Sequence, residues 1–146
     1  MSIKTKKSLG QNFIFDKNFL KKISDLIISK SNNTIIEIGS GPGTLTEYLY
    51  TKNYKKMILI EKDDRLIINL KKRFSDVKIK ILNQDALDFN FQSPDLSDSI
   101  IVGNLPFNIS VNLLYNWTKI KEWPPKQKIM ILMFQKEVAN RIIATQ

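Results

Sequence analysis

A short apolar strand that runs directly into a glycine-rich turn constrains the fold of this chain more than any other feature. Residues Thr34 to Ile38 read Thr-Ile-Ile-Glu-Ile, and Gly39-Ser40-Gly41-Pro42-Gly43 follows at once. Strands with apolar residues on both faces, as Ile35, Ile36 and Ile38 place them here, are covered on both sides, as in parallel sheets. Glycines after such a strand let the backbone turn tightly and approach a ligand closely. The feature predicts an α/β fold with a ligand site at the turn.

The rest of the chain repeats the alternation of strand and helix. Further strands are predicted at residues 57–60, 77–82, 99–102 and 129–134, and helices at 16–29, from 44, from 63, at 110–117 and at 135–143. Thr44 and Glu47 have the spacing of a capping box, which predicts how the second helix begins. This rhythm predicts a Rossmann-like, doubly wound and mostly parallel sheet.

Composition excludes several classes of chemistry. The 146 residues include no Cys and no His. Disulfides, zinc sites with thiolate or imidazole ligands, and Cys/His or Ser/His catalysis are therefore excluded. No apolar run approaches the ~20 residues that span a bilayer. We expect a cytoplasmic protein that binds neither a membrane nor a metal and that relies on carboxylates, amides, backbone groups or a cofactor.

Positive charge is concentrated at the N-terminus. The formal net charge is +9, and residues 1–30 hold seven lysines against two aspartates. Part of this charge serves solubility, but its uneven distribution favours a polyanionic partner. Charge alone does not distinguish RNA, DNA and anionic lipid. We divide the chain into a basic N-terminal arm with the first helix, residues 1–30, and an α/β domain, residues 31–146.

Polar residues follow the predicted strands at the edge where ligands bind in such sheets. Glu61 ends the second strand, where a carboxylate can accept hydrogen bonds from both hydroxyls of a ribose. Asp85 follows the third strand and can accept from an adenine amino group, with Asp88 as a competing candidate. The fourth strand ends near Asn104. These residues and the glycine turn predict one composite site.

The glycine spacing limits the kind of ligand. The turn reads G-x-G-x-G with Thr at position 44, whereas the dinucleotide fingerprint is G-x-G-x-x-G. A phosphate-binding P-loop is also absent, because no Gly-Lys-Ser/Thr follows. Gly39 and Gly41 are therefore candidate contacts for a nucleoside without phosphates.

The tetrapeptide Asn104-Leu105-Pro106-Phe107 is suited to a planar amine such as adenine. The Asn104 side-chain oxygen can accept a hydrogen bond from the exocyclic amine. Pro106 biases Leu105 toward an extended backbone, so that the Leu105 carbonyl can accept a second one. Two acceptors draw the amine nitrogen out of conjugation with the purine ring and direct its lone pair at a methyl donor. Phe107 offers a ring on which the base can stack.

The motifs in this order resemble the ribosomal RNA adenine dimethyltransferases, and the small-subunit type fits better than the macrolide-resistance type. The resemblance rests on Leu9 to Phe13, on the glycine turn with Glu61 and Asp85, on Asn104 to Ser110 and on Gln135 to Arg141. It covers essentially the whole chain. Ser40 and Phe107 depart from the family, which more often has Pro and Tyr at these positions.

The resemblance implies that residues 31–146 are an S-adenosylmethionine-binding catalytic domain, incomplete at its C-terminus, and it implies a specific set of contacts. The residues that would contact the cofactor are Asn12, Ile14, Gly39, Glu61, Asp85 and Asn104. Asn12 and Ile14 would belong to a segment that folds over it. The implied reaction is N6-dimethylation of two adjacent adenines in small-subunit (16S) ribosomal RNA, with the pre-30S particle as partner.

The resemblance also implies a longer protein. Family members continue with further strands and a C-terminal helical domain, so this chain looks truncated after its fifth strand. Residues 129–134 would then form an exposed apolar edge strand, which favours self-association. Two alternatives remain open at this point. One is an amino-methyltransferase that acts on DNA adenine or protein glutamine, and the other is a non-catalytic factor that binds RNA or assists ribosome assembly.

Overall fold

The computed structural model describes residues 5–27, 33–120, 127 and 129–144. These residues form five strands that alternate with helices. The strands are β1 (Thr34–Ile38), β2 (Lys56–Glu61), β3 (Ile79–Asn83), β4 (Ile100–Asn104) and β5 (Ile129–Met133). The helices are α1 (Lys17–Leu26), α2 (Thr44–Tyr50), α3 (Asp64–Arg73), α4 (Phe107–Thr118) and α5 (Lys136–Ile143), with short 3₁₀ turns at Lys7–Leu9, Ala86–Asp88 and Pro94–Leu96.

The five strands form one parallel sheet in the order β3-β2-β1-β4-β5. The order reverses beside β1, which pairs with β2 on one side and with β4 on the other. Loops that leave β1 and β4 therefore diverge to opposite faces and open a crevice between them. This confirms the predicted doubly wound sheet and places the glycine turn beside the end of β4.

Alternate strand residues bury both faces of the sheet. On one face, Ile35, Met57 and Ile100 pack with residues of α1, α2 and α3. On the other face, Ile36, Ile58 and Ile101 pack with α4 and with the loops that follow β3; that layer includes Leu113, Trp117, Phe91 and Leu96. The unbroken apolar strands are thus explained by helices and loops on both sides. Helix α1 contributes Leu20 and Ile23 to the first layer, and Ile27 follows directly after the helix.

Helix α2 begins at Thr44, as predicted, but without the predicted capping box. Gly43 precedes α2 with φ 81°, and Glu47 pairs with Arg73 at 3.0 Å instead of closing a capping box. Glycine adopts this left-handed backbone without strain, so Gly43 and not Thr44 takes the cap position. Helix α4 begins at Phe107, not at residue 110, because the Pro106 carbonyl already accepts from the next turn. Helix α1 ends at Leu26, and residues 28–32 lie outside the described part.

Strand β5 lies at one edge of the sheet, as expected. Among the described strands it pairs with β4 alone, and its five residues are all partly exposed. No helix within the described ranges is long and apolar enough to cross a membrane.

Gly103 allows β4 to lie close to the end of β1. A β-carbon at this position would lie 2.5 Å from the carbonyl oxygen of Ile38, which is closer than van der Waals contact permits. We therefore expect Gly103→Ala to lower the free energy of unfolding by about 3 kcal/mol, because the strands must separate or shift. Urea unfolding measures the loss. Lys80→Ala, at an exposed position of β3, is the control, and a loss below about 1 kcal/mol for Gly103→Ala would contradict the prediction.

Candidate active site

A cleft opens at the carboxyl edge of the sheet, beside the ends of β1 and β4. Its walls come from the glycine turn, the ends of β2 and β4, the residues after β3, and the segment before α1. The structure thus brings together most of the predicted site residues. Those that line the cleft are Asn12, Ile14, Gly39, Gly41, Glu61, Asp85, Asn104 and Pro106.

Glu61 joins the glycine turn to the end of β2. Its Oε2 accepts from the Gly41 N–H at 2.8 Å, and its Oε1 accepts from the N–H groups of Lys62 and Asp63 at 2.9 Å each. Burial raises the pKa of this carboxyl, although the three N–H groups oppose that shift. A carboxylate offers about four lone-pair positions, so Glu61 keeps one position, on Oε2, for a ligand.

Asp85 lies in the cleft and is held by two donors. Its Oδ1 accepts from the Leu87 N–H at 3.0 Å, and its Oδ2 pairs with the Lys62 ammonium at 2.6 Å. Burial works to raise the pKa of Asp85, but Lys62 and Leu87 together hold it below its ordinary value. Asp88, the competing candidate, is exposed and does not line the cleft. Lys62, which sequence reasoning missed, also lines the cleft.

Asn104 ends β4 at the junction of the cleft and a neighbouring groove. The groove is lined by residues of the segment before α1, by Phe107 and by the chain that follows β5. Asn104, Asn12 and Ile14 line both spaces. The Asn104 amide nitrogen donates to the carbonyl oxygen of Asn12. Since a carbonyl only accepts, this contact leaves Oδ1 as the end of the amide that can accept from a ligand.

The three residues after Asn104 have separate environments. Leu105 is 1% exposed and packs in the core, where it anchors the turn, and its N–H donates to the Met133 carbonyl at 3.3 Å. Pro106 lines the cleft and precedes α4. Phe107 is 39% exposed and lines the groove, with Phe19 and Phe134 as further aromatic walls. A planar base in the groove can therefore stack on an aromatic ring while its edge reaches Asn104.

The segment from Leu9 to Ile14, here called the covering segment, forms a wall of the cleft. Residue reasoning alone assigned no role to it. Gln11 donates to the buried Asp63, whose carboxylate also binds Arg65 through two nitrogens. The Arg65 guanidinium holds the pKa of Asp63 well below its usual range. Asp63 also caps α3, since its Oδ1 accepts from the Arg65 N–H.

Glu37 is a buried carboxyl in β1 that borders the cleft. It is 2% exposed, and its Oε2 accepts from the Thr46 hydroxyl at 2.7 Å. Burial raises the pKa of Glu37 to about 8, against the opposing effect of Thr46 and with a smaller contribution from the nearby Glu61. At neutral pH this side chain is therefore mostly protonated. No cluster of three or more potential metal ligands occurs within the described segments.

Glu37 makes the stability of the fold depend on pH in a specific direction. Because the pKa is raised in the folded state and near ~4.3 in the unfolded chain, the unfolded chain releases the proton first as pH rises. The free energy of unfolding should therefore fall as the pH rises from 5 to 8. The fall should be about 3 kcal/mol larger for the wild-type chain than for Glu37→Gln, because glutamine resembles the neutral acid and does not ionise. Urea unfolding of both proteins across this range measures the difference, and parallel pH profiles would contradict the assignment.

Comparisons with known proteins agree with this geometry. The sequence model of the ribosomal RNA adenine dimethylase family matches residues 2–146. Ribosomal RNA small subunit methyltransferase A of Pelagibacter ubique is 44% identical over 144 residues, which cover 99% of this chain and 54% of that protein. The crystal structure of a dimethyladenosine transferase from Plasmodium falciparum has a TM-score of 0.77 at 31% identity and covers 92% of this chain and 47% of that one.

A second solved structure, 23S rRNA methyltransferase ErmE, has a TM-score of 0.71 at 25% identity and covers 88% of this chain and 50% of that one. The chain spans about half the length of the curated relatives it matches. The match to the family nevertheless extends over nearly every residue present. The match agrees with the order of motifs, the parallel sheet and the cleft. This chain belongs to the ribosomal RNA adenine dimethylase family.

Proposed function

We propose that this chain binds S-adenosylmethionine in the cleft and methylates the N6 amine of adenines in small-subunit ribosomal RNA. Two adjacent adenines are the proposed targets, and the pre-30S particle in the cytoplasm is the proposed partner. The observation that carries the proposal is the position of Asn104, which lines both the cleft and the aromatic groove. A cofactor in the first space and a base in the second would meet at this residue.

The residues of the cleft fit this cofactor. Glu61 keeps an acceptor position for a ribose hydroxyl, and Asp85 supplies carboxylate oxygens for an amino group. Ile38, Ile60 and Ala86 add apolar wall beside these acceptors, which suits a purine ring. Gly39, Gly41, Asn12 and Ile14 complete the proposed contacts. Bound in this way, S-adenosylmethionine supplies an electrophilic methyl group on a sulfonium sulfur.

The role of the chain in the reaction is to position and polarise the target amine. Asn104 Oδ1 accepts one hydrogen bond from the amine, and the carbonyl of Leu105 is proposed to accept the other. These acceptors direct the nitrogen lone pair toward the cleft. Pro106 holds the turn, and Phe107 stacks on the base in the groove. No strong base is needed, because the amine becomes acidic only as the new bond forms, so positioning supplies most of the catalysis.

The first test is calorimetric titration with S-adenosylmethionine. Wild-type chain should bind saturably, and Asp85→Ala should bind at least about tenfold more weakly, because a hydrogen bond to a charged acceptor is lost. Asp88→Ala is the matched control, three residues away and outside the cleft wall. A folded wild-type chain that binds no cofactor would refute the proposal. Equal loss in both variants would refute the role of Asp85.

The second test addresses methyl transfer. Asn104→Ala should lower the rate of transfer to unmethylated small subunits by roughly 100-fold or more, since a group that acts on the reacting atom is removed. The dissociation constant for the cofactor should change by a smaller factor than the rate of transfer. Asn112→Ala, at an exposed position of α4, is the control. Salt-dependent binding to the subunits without any transfer by the wild-type chain would favour a non-catalytic RNA-binding role instead.

A further inference from the structure

The covering segment is held at two places, and each contact reaches a different part of the site. On the side of β2, Gln11 contacts Asp63. On the side of β4, the carbonyl of Asn12 accepts from Asn104, and the carbonyl of Gly10 accepts from the Phe107 N–H at 3.5 Å. The segment therefore bridges the proposed cofactor residues and the proposed target-base residues.

Both ends of the Gln11 side-chain amide form hydrogen bonds, one to Asp63 and one to the backbone of Lys6. Nε2 donates to Asp63 Oδ2 at 3.0 Å, and Oε1 accepts from the Lys6 N–H at 2.7 Å. The amide thus fixes the backbone before it and ties that backbone to α3. Glutamine suits this position because it offers one donor and one acceptor on a side chain long enough to span them.

Asp63 is a rigid anchor for this contact. Its side chain is 1% exposed, it is held by Arg65 at 2.5 Å, and Lys6 lies 3.7 Å away. The Asp63 N–H also donates to Glu61 Oε1. An ionised, buried acceptor strengthens the hydrogen bond from Gln11 relative to a neutral one. The anchor is therefore part of the same network that holds the glycine turn.

The second contact determines which end of the Asn104 amide is available. The nitrogen must face the Asn12 carbonyl, so Oδ1 remains for the target amine. If the covering segment moves away, the amide loses the partner that fixes this orientation. A rotated amide would present a donor to the amine, which itself must donate.

We propose that Gln11 is a positioning residue of the methyl transfer: its hydrogen bond to Asp63 holds the covering segment, and the segment in turn orients the Asn104 amide. Gln11 acts through the backbone of Asn12 and does not itself touch the reacting atoms. This inference rests on the proposed function, because it assigns Asn104 to the target amine.

The experiment compares Gln11→Ala and Gln11→Glu with the wild-type chain. Glutamate keeps the size of the side chain and its acceptor for the Lys6 N–H, but it removes the donor and places a carboxylate against Asp63. A packing role predicts that Gln11→Glu resembles the wild type, whereas the hydrogen-bonded role predicts that it fails. In the double variant Gln11→Glu with Asp63→Asn, the new amide at position 63 can donate to the carboxylate at position 11. This variant should therefore recover part of the cofactor binding and of the methyl transfer. Gln92→Ala, which lies outside the cleft wall, is the matched control.

Three measurements are made on each variant: hydrogen exchange of residues 9–14, the dissociation constant for S-adenosylmethionine, and kcat for methyl transfer at saturating cofactor. For Gln11→Ala and Gln11→Glu we expect faster exchange, a dissociation constant raised about tenfold, and a kcat that stays about tenfold low. Gln92→Ala should remain within about twofold of the wild type in all three.

Several outcomes would overturn the inference. Unchanged exchange in Gln11→Ala would show that Gln11 does not hold the segment. A kcat that returns to the wild-type value at saturating cofactor would show that Asn104 is oriented without it. If Gln11→Glu behaves like the wild-type chain, the side chain of Gln11 acts by packing and not through its hydrogen bond to Asp63. If the wild-type chain itself binds no cofactor, the proposed function fails, and hydrogen exchange alone decides whether Gln11 holds the segment.

Discussion

The carboxylate of Glu61 organises the site more than any other group, because it satisfies backbone donors from two loops at once. It accepts from Gly41 in the turn after β1 and from Lys62 and Asp63 at the start of the connection to α3. These N–H groups lie in loops beyond the strand ends, where no neighbouring strand accepts from them, and a buried donor without a partner would be costly. A side chain that was expected only to contact a ligand therefore also holds the walls of the cleft in place.

The parallel sheet determines where this organisation can occur. Because β1 lies between β2 and β4, the glycine turn, Glu61 and Asn104 all end at the same edge. The close approach of Gly103 to Ile38 brings the ends of β1 and β4 together at that edge. The helices and loops that cover the two faces are mostly apolar, and the polar chemistry is concentrated beyond the strand ends. Fold and site are thus consequences of one arrangement of strands.

Much of this was predictable from sequence, and the exceptions have physical causes. Apolar strands followed by polar residues predicted the sheet and the convergence of Glu61, Asp85 and Asn104, because strand ends in a parallel sheet share an edge. The hydrogen bond between Gln11 and Asp63 was not predictable, since the two residues are distant in sequence and Asp63 also caps a helix. The start of α2 at Thr44 was predicted correctly, but its capping box was not, because a left-handed glycine occupies the cap position.

The contact between Asn104 and the carbonyl of Asn12 has a consequence for how this site can vary. Orientation of the amide depends on a main-chain atom, which every amino acid possesses. The side chain at position 12 can therefore change with the needs of the ligand while the amide keeps its direction. Scanning by side-chain replacement would consequently underestimate this position. An ester in place of the peptide bond that follows Asn12 would weaken this acceptor without changing any side chain, although it also removes the N–H of Phe13.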